Sequence, residues 1–110
     1  MNDLKQLIEQ FAKDWQMFRD EKIKKKHPHH QQEAVTVKFN KLFAIIETKN
    51  GGAHAHVALC DKENKHIGNF KAGDIFKPAT YNRPAKHKRG SVYDKNPLSC
   101  MTEWGVKYLA

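Results

Sequence analysis

His54, His56 and Glu47 are the residues of this 110-residue chain whose types and spacing come nearest to a reactive centre. Side chains two apart on a strand point to the same face. A strand-borne His-x-His pair therefore turns both imidazoles one way, and a carboxylate opposite would complete a facial metal triad. Cys60 stands four residues further along. The plain alternative is a polar outer sheet face on which Glu47 neutralises a neighbouring imidazole. No serine, cysteine or lysine sits in a nucleophile-elbow or Cys–His context. No glycine-rich stretch has a dinucleotide or P-loop spacing, and Gly51-Gly52 suits a turn better. His87, set among four cations, is a conceivable acid–base group, and a polar loop residue is the simpler reading. The expectation is a chain with no cofactor and no resident metal, more readily a binding protein than an enzyme.

The second constellation is the segment KPATYNRPAKHKRG, residues 77–90. It carries Lys77, Arg83, Lys86, Lys88 and Arg89 and no carboxylate, with Pro78 and Pro84 within it and Tyr81 and Tyr93 in or beside it. Unpaired charge is too costly to bury, so these cations must face water or an anionic partner. The net charge of +8 is local: residues 77–92 hold a surplus of five, and residues 19–30, with five basic against two acidic side chains, a surplus of three. That is the footprint of a patch. Lys and Arg release counterions from a phosphate backbone, Tyr81 and Tyr93 can stack on unpaired bases, and Arg83 and Arg89 can grip phosphate bidentately. Solubility alone is the competing use of such charge.

These residues need a scaffold. Leu4, Leu7, Ile8, Phe11, Trp15 and Phe18 recur at spacings of three and four, predicting an amphipathic helix over residues 3–25. Asn2 or Asp3 is its cap, and Pro28 ends it at His27. Lys24, Lys25 and Lys26 cluster in its last turns, where they would extend the basic patch if they lie beside the 77–90 segment. His27–Gln32 reads as a polar linker. From Ala34 the period becomes two. The alternation breaks at Lys41-Leu42-Phe43, read as a bulge or a doubly buried position. Asn50-Gly51-Gly52 supplies a tight hairpin turn. Its register puts Leu42, Ala44, Ile46, Ala55, Val57 and Leu59 on one apolar face under the helix. Phe43, Ile45, Glu47, His54, His56, Ala58 and Cys60 fall on the other. A third strand is expected around 65–70 and a short one at 75–77. Asn96, Pro97 and Gly105 bracket a short helix, and Trp104, Val106, Tyr108 and Leu109 form a last apolar patch.

The expected fold class is therefore α+β in a single domain. An N-terminal amphipathic helix (1–26) and a polar linker (27–33) precede a three- to four-stranded antiparallel sheet (34–77). A basic extended loop (78–95) and a short C-terminal helix with its tail (96–110) complete it. No run is apolar and long enough for a membrane span, the N-terminus fits no targeting signal, and a cytoplasmic location is expected. Cys60 and Cys100 read as small buried residues, a disulfide being possible only if the fold juxtaposes them.

Residues 72–109 resemble a C-terminal signature of small bacteriophage and marine-virus proteins. It consists of an Asp–aliphatic–x–Lys–Pro/Ala–Ala element, then Pro-Ala-Lys-His-x-Arg-Gly-x-x-x-Asp, then a terminal Gly-Val-x-Tyr-Leu. Asp74, Lys77, Ala79, Pro84, Ala85, Lys86, His87, Arg89, Gly90, Asp94, Gly105, Val106, Tyr108 and Leu109 stand at matching places. Tyr81 stands where the relatives tend to carry tryptophan. The resemblance implies a viral origin and action in an infected cell's cytoplasm, and brings no activity with it. The function expected from all of this is nucleic-acid binding through the phosphate backbone, DNA or RNA. The rival readings are an accessory protein gripping an acidic protein surface, a metal-dependent enzyme using His54, His56 and Glu47, and a virion component.

Overall fold

The computed structural model describes residues 4–26, 29, 33–49, 51–63, 65 and 68–107. The fold class is α+β. Helix α1 spans Leu4–Lys26 and buries Ile8, Phe11, Ala12, Trp15, Arg19 and Ile23, the stripe that a 3.6-residue period draws. Leu7 lies off that stripe and is exposed. The helix packs on a five-stranded antiparallel sheet, where one strand more than the upper expectation is found. Its members are β1 (Val35–Phe39), β2 (Phe43–Thr48), β3 (Gly52–Ala58) and β4 (Asp74–Phe76). Strand β5 (Pro78–Thr80) and strand β6 (Arg83–Pro84) form a separate hairpin. Strand β7 (Gly90–Ser91) then returns to the sheet beside β4. The sheet order is β1-β2-β3-β4-β7. The helix cap at Asn2 or Asp3, the stop at Pro28, most of the His27–Gln32 linker, Asn50 and the Tyr108-Leu109 patch fall outside the described residues.

Three expectations are corrected. The break at Lys41-Leu42-Phe43 is a hairpin turn, not a bulge: Phe39 pairs with Ala44 and the Asn40 N–H donates to the Phe43 carbonyl at 2.9 Å. The strand beside β3 is Asp74–Phe76. Of residues 65–70, those described form no strand, and Phe70 is held to Lys62 by an isolated bridge. The C-terminal helix is a single 3-10 turn, Pro97–Cys100, whose Asn96 makes no side-chain cap. It leads into a hairpin of β8 (Met101–Thr102) and β9 (Gly105–Val106). Gly105 is therefore not a helix stop. Its φ of +127° is open to glycine, and a Cβ there would stand 3.0 Å from the His54 carbonyl oxygen.

The predicted inner face holds except at Leu42, which lies in the turn before β2 and is not part of the main core. Ala44 lies opposite Val57 and Ile46 opposite Ala55, and all four join Ile8, Phe11, Trp15, Ile75 and Val106 in the main core, with Leu59 packed at its edge. The outer face carries a second, smaller core of Phe70, Phe76 and Ala58 with Phe43 against it. Among the described residues no helix is long and apolar enough to cross a membrane.

Candidate functional site

A bulge in β3 decides the histidines. Ile46 pairs with Ala55 but Glu47 pairs with Ala53, leaving His54 as the extra residue. A bulge re-aims the side chain it carries, and His54 turns to the helix side, its ring 5.0 Å from that of Trp15. Thr48 Oγ1 lies 2.9 Å from its Nε2 and the Trp104 carbonyl 3.2 Å from its Nδ1. A carbonyl can only accept, so Nδ1 carries the proton and Nε2 accepts from the Thr48 hydroxyl. His56 stays on the outer face, opposite Ile45 and Phe76. Glu47 also faces outward, its Oε1 accepting from the Tyr81 hydroxyl at 2.6 Å. His54 and His56 thus lie on opposite sides of the sheet and cannot form one His-x-His centre. Among the described residues no three His, Cys, Asp or Glu side chains come together as a metal cluster. Cys60 and Cys100 are free thiols.

The basic arm is not an open loop. Residues 77–85 fold back as the β5–β6 hairpin, closed by the Ala85 N–H on the Lys77 carbonyl at 2.7 Å, and lie over the outer face of β3. Tyr81, at the hairpin tip, is fixed twice. Its carbonyl accepts from His56 Nε2 at 3.0 Å and its hydroxyl donates to Glu47, a bond that raises the phenol's pKa. Lys38 Nζ stands 5.9 Å over its ring.

Three of the arm's five cations have partners inside the molecule. Lys88 pairs with Asp74 at 3.3 Å. Lys77 donates to the Val106 carbonyl at 3.1 Å. Arg89 donates through Nη1 to the Lys107 carbonyl at 2.8 Å and through Nε to the His87 carbonyl at 3.2 Å, so its fork is already in use. His87 sits at φ 71°, a left-handed conformation that marks a tightly shaped turn. Arg83 and Lys86 are exposed and, among the described residues, have no hydrogen-bond or ionic partner. On the helix, Lys24 is exposed, Lys25 pairs with Glu21 at 3.7 Å, and Lys26 donates to Glu103 at 2.8 Å. That bond is the main reason the Glu103 carboxyl lies below its ordinary range. The β8–β9 hairpin and the residue after it thus take up Lys26 at Glu103 and Lys77 and Arg89 at the carbonyls of 106 and 107. The cations do not converge as one free patch.

What the structure assembles instead is a cavity of about 260 Å³ on the outer face, between the 40–42 turn and the hairpin tip. Phe43, Ile45, His56 and Pro84 form its largely buried floor, and Lys41 and Asn82 its exposed rim. Arg83 follows Asn82 directly, and Lys38 precedes the turn. No carboxylate lines it. Sequence reasoning missed Lys38, Lys41, Phe43 and Asn82. The available signal was an outer face bearing Phe43, Ile45 and Ala58, too apolar to be left in water.

Both imidazoles have pKa values below their ordinary 6.5, chiefly through burial. The Trp104 carbonyl opposes this at His54 and the Arg19 guanidinium adds to it; the Tyr81 carbonyl opposes it at His56. The folded state resists protons that the unfolded chain accepts, so stability is full above the unfolded value and lost as pH falls through and below it. The thermal midpoint is expected to be level from about pH 8 to 7 and to fall steadily from about pH 6.5 to 5. A midpoint that rises over that acid range would contradict this picture of the two rings. Compared with protein-family models, curated proteins and solved structures, the chain matches none.

Proposed function

We propose that this chain binds nucleic acid, without chemistry upon it, through the outer sheet face where the β5–β6 hairpin meets the 40–42 turn. The observation that carries the reading is the charge of this region: Lys41 is exposed on the cavity rim, Lys38 and Arg83 are exposed on the strands that lead to it, and the lining holds no carboxylate. Lys86, two residues beyond Pro84, adds a fourth exposed cation. Phosphate is the anion such a rim suits, because each contact releases a condensed counterion. Lys77, Lys88 and Arg89 contribute to the positive field, but their direct bonds go to the protein itself.

A filter-binding salt titration with a labelled single-stranded oligonucleotide tests this. Four phosphate contacts predict a log–log slope of about −2.8, so affinity drops about fifty-fold between 50 and 200 mM salt. The paired substitution Lys41→Ala with Arg83→Ala is expected to cut the slope to about half of that. Failure to retain any oligonucleotide at 50 mM salt would end the proposal.

A further inference from the structure

We propose that the cavity between the 40–42 turn and the hairpin tip receives an unpaired nucleobase, which makes single strands the ligand class. The inference rests on the nucleic-acid reading and deepens it. Three features of the cavity converge on a flat heterocycle rather than on an aliphatic chain or a bare phosphate.

The first is an unused acceptor. His56 is 1% exposed and forms part of the floor. Its Nε2 must donate to the Tyr81 carbonyl, which leaves Nδ1 with a lone pair in the neutral ring. That Nδ1 is buried and, among the described residues, has no partner. Buried polar atoms are nearly always satisfied, and an exception calls for an explanation. The ring lines the cavity, so a ligand N–H there supplies one once a small shift of the ring uncovers Nδ1. Every nucleobase with a ring or exocyclic N–H can donate to it, whereas phosphate and aliphatic groups cannot.

The second is an aromatic wall. Phe43 lines the cavity and is braced from behind, its ring centroid 5.0 Å from Phe70 and edge-on to Phe76 at 6.1 Å. A ring held in place loses little entropy when a base stacks on it, and stacking on aromatic rings is how proteins hold unpaired bases. The third is the rim. The Asn82 amide offers both a donor and an acceptor for a base edge, and the cation of Lys41, on the same rim, is placed to meet an attached phosphate. The volume of about 260 Å³ lies just below the range of drug-sized pockets, room for one ring system.

Two strands of equal length decide the matter, one with bases and one abasic, with the same phosphates, compared by fluorescence anisotropy at one salt concentration. The strand with bases is expected to bind about tenfold more tightly, the order of one stacked base. The ¹H–¹⁵N ring resonances of His56 are expected to move with that strand and to stay still with the abasic one. Asn82→Trp, which fills the cavity mouth, is expected to bring the intact strand's affinity down to about that of the abasic one. Equal binding of both strands with an unmoved His56 ring overturns the base site while leaving phosphate binding standing. Binding of neither strand overturns both.

Discussion

Trp15→Ala is expected to lower the free energy of unfolding by about 3–5 kcal/mol, as large aromatic deletions from packed cores do. Trp15 is wholly buried and joins three parts of the molecule that are distant in sequence. Its ring packs on His54 of β3, its Nε1–H donates to the Thr102 carbonyl at 2.8 Å, and its helix neighbours Phe11 and Ile8 share its core. Truncation leaves a cavity and strands the Thr102 carbonyl. A domain of this size has about 5–15 kcal/mol to lose, so the variant stands near its limit at 25 °C. Trp15→Phe keeps most of the packing but not the hydrogen bond, and the expected cost is about 1–3 kcal/mol. Urea unfolding measures both. A cost below about 1 kcal/mol for the alanine variant would mean that α1 and the β8–β9 hairpin do not depend on this residue.

Phe76→Ala tests the other side of the sheet and is expected to cost a similar amount, about 3–5 kcal/mol. Phe76 is 1% exposed, opposite His56 across the strands, and edge-on to both Phe43 and Phe70 at 6.1 and 6.3 Å. The two variants differ in where they loosen the fold. Loss of Trp15 is expected to speed amide hydrogen exchange first in α1 and the β8–β9 hairpin. Loss of Phe76, which backs the wall of the cavity, is expected to do so first in the β5–β6 hairpin and the 40–42 turn, since local opening follows local packing. Identical exchange patterns in the two variants would show a single core instead of two.

Much of the scaffold was legible along the chain because it obeys short-range rules. The spacing of Ile8, Phe11 and Trp15 defines a helical stripe, and the alternation around Ala44, Ile46, Ala55 and Val57 defines a buried sheet face. The turn is not the two-residue one expected: Gly52 already pairs with Thr48, and the bulge at His54 restores the register that the apolar face demands. The β2–β3 register survives along most of its length because a slip of one residue would put the whole apolar set in water. The candidate site was less legible. The arm's cations could be counted, but their partners lie elsewhere: Asp74 for Lys88, and the carbonyls of Val106 and Lys107 for Lys77 and Arg89.

The helix, the α+β class and the apolar inner face follow from period and turn chemistry, which act over a few residues. The side of the sheet on which His54 stands, the folding of the arm into a hairpin over His56, and the cavity walled by Phe43 and Asn82 were settled in three dimensions. A bulge of one residue reverses a side chain without leaving a mark on the hydrophobic pattern. A charge's availability depends on which carbonyl or carboxylate the fold brings within about 3 Å of it, and that distance is set by contacts between residues tens of positions apart.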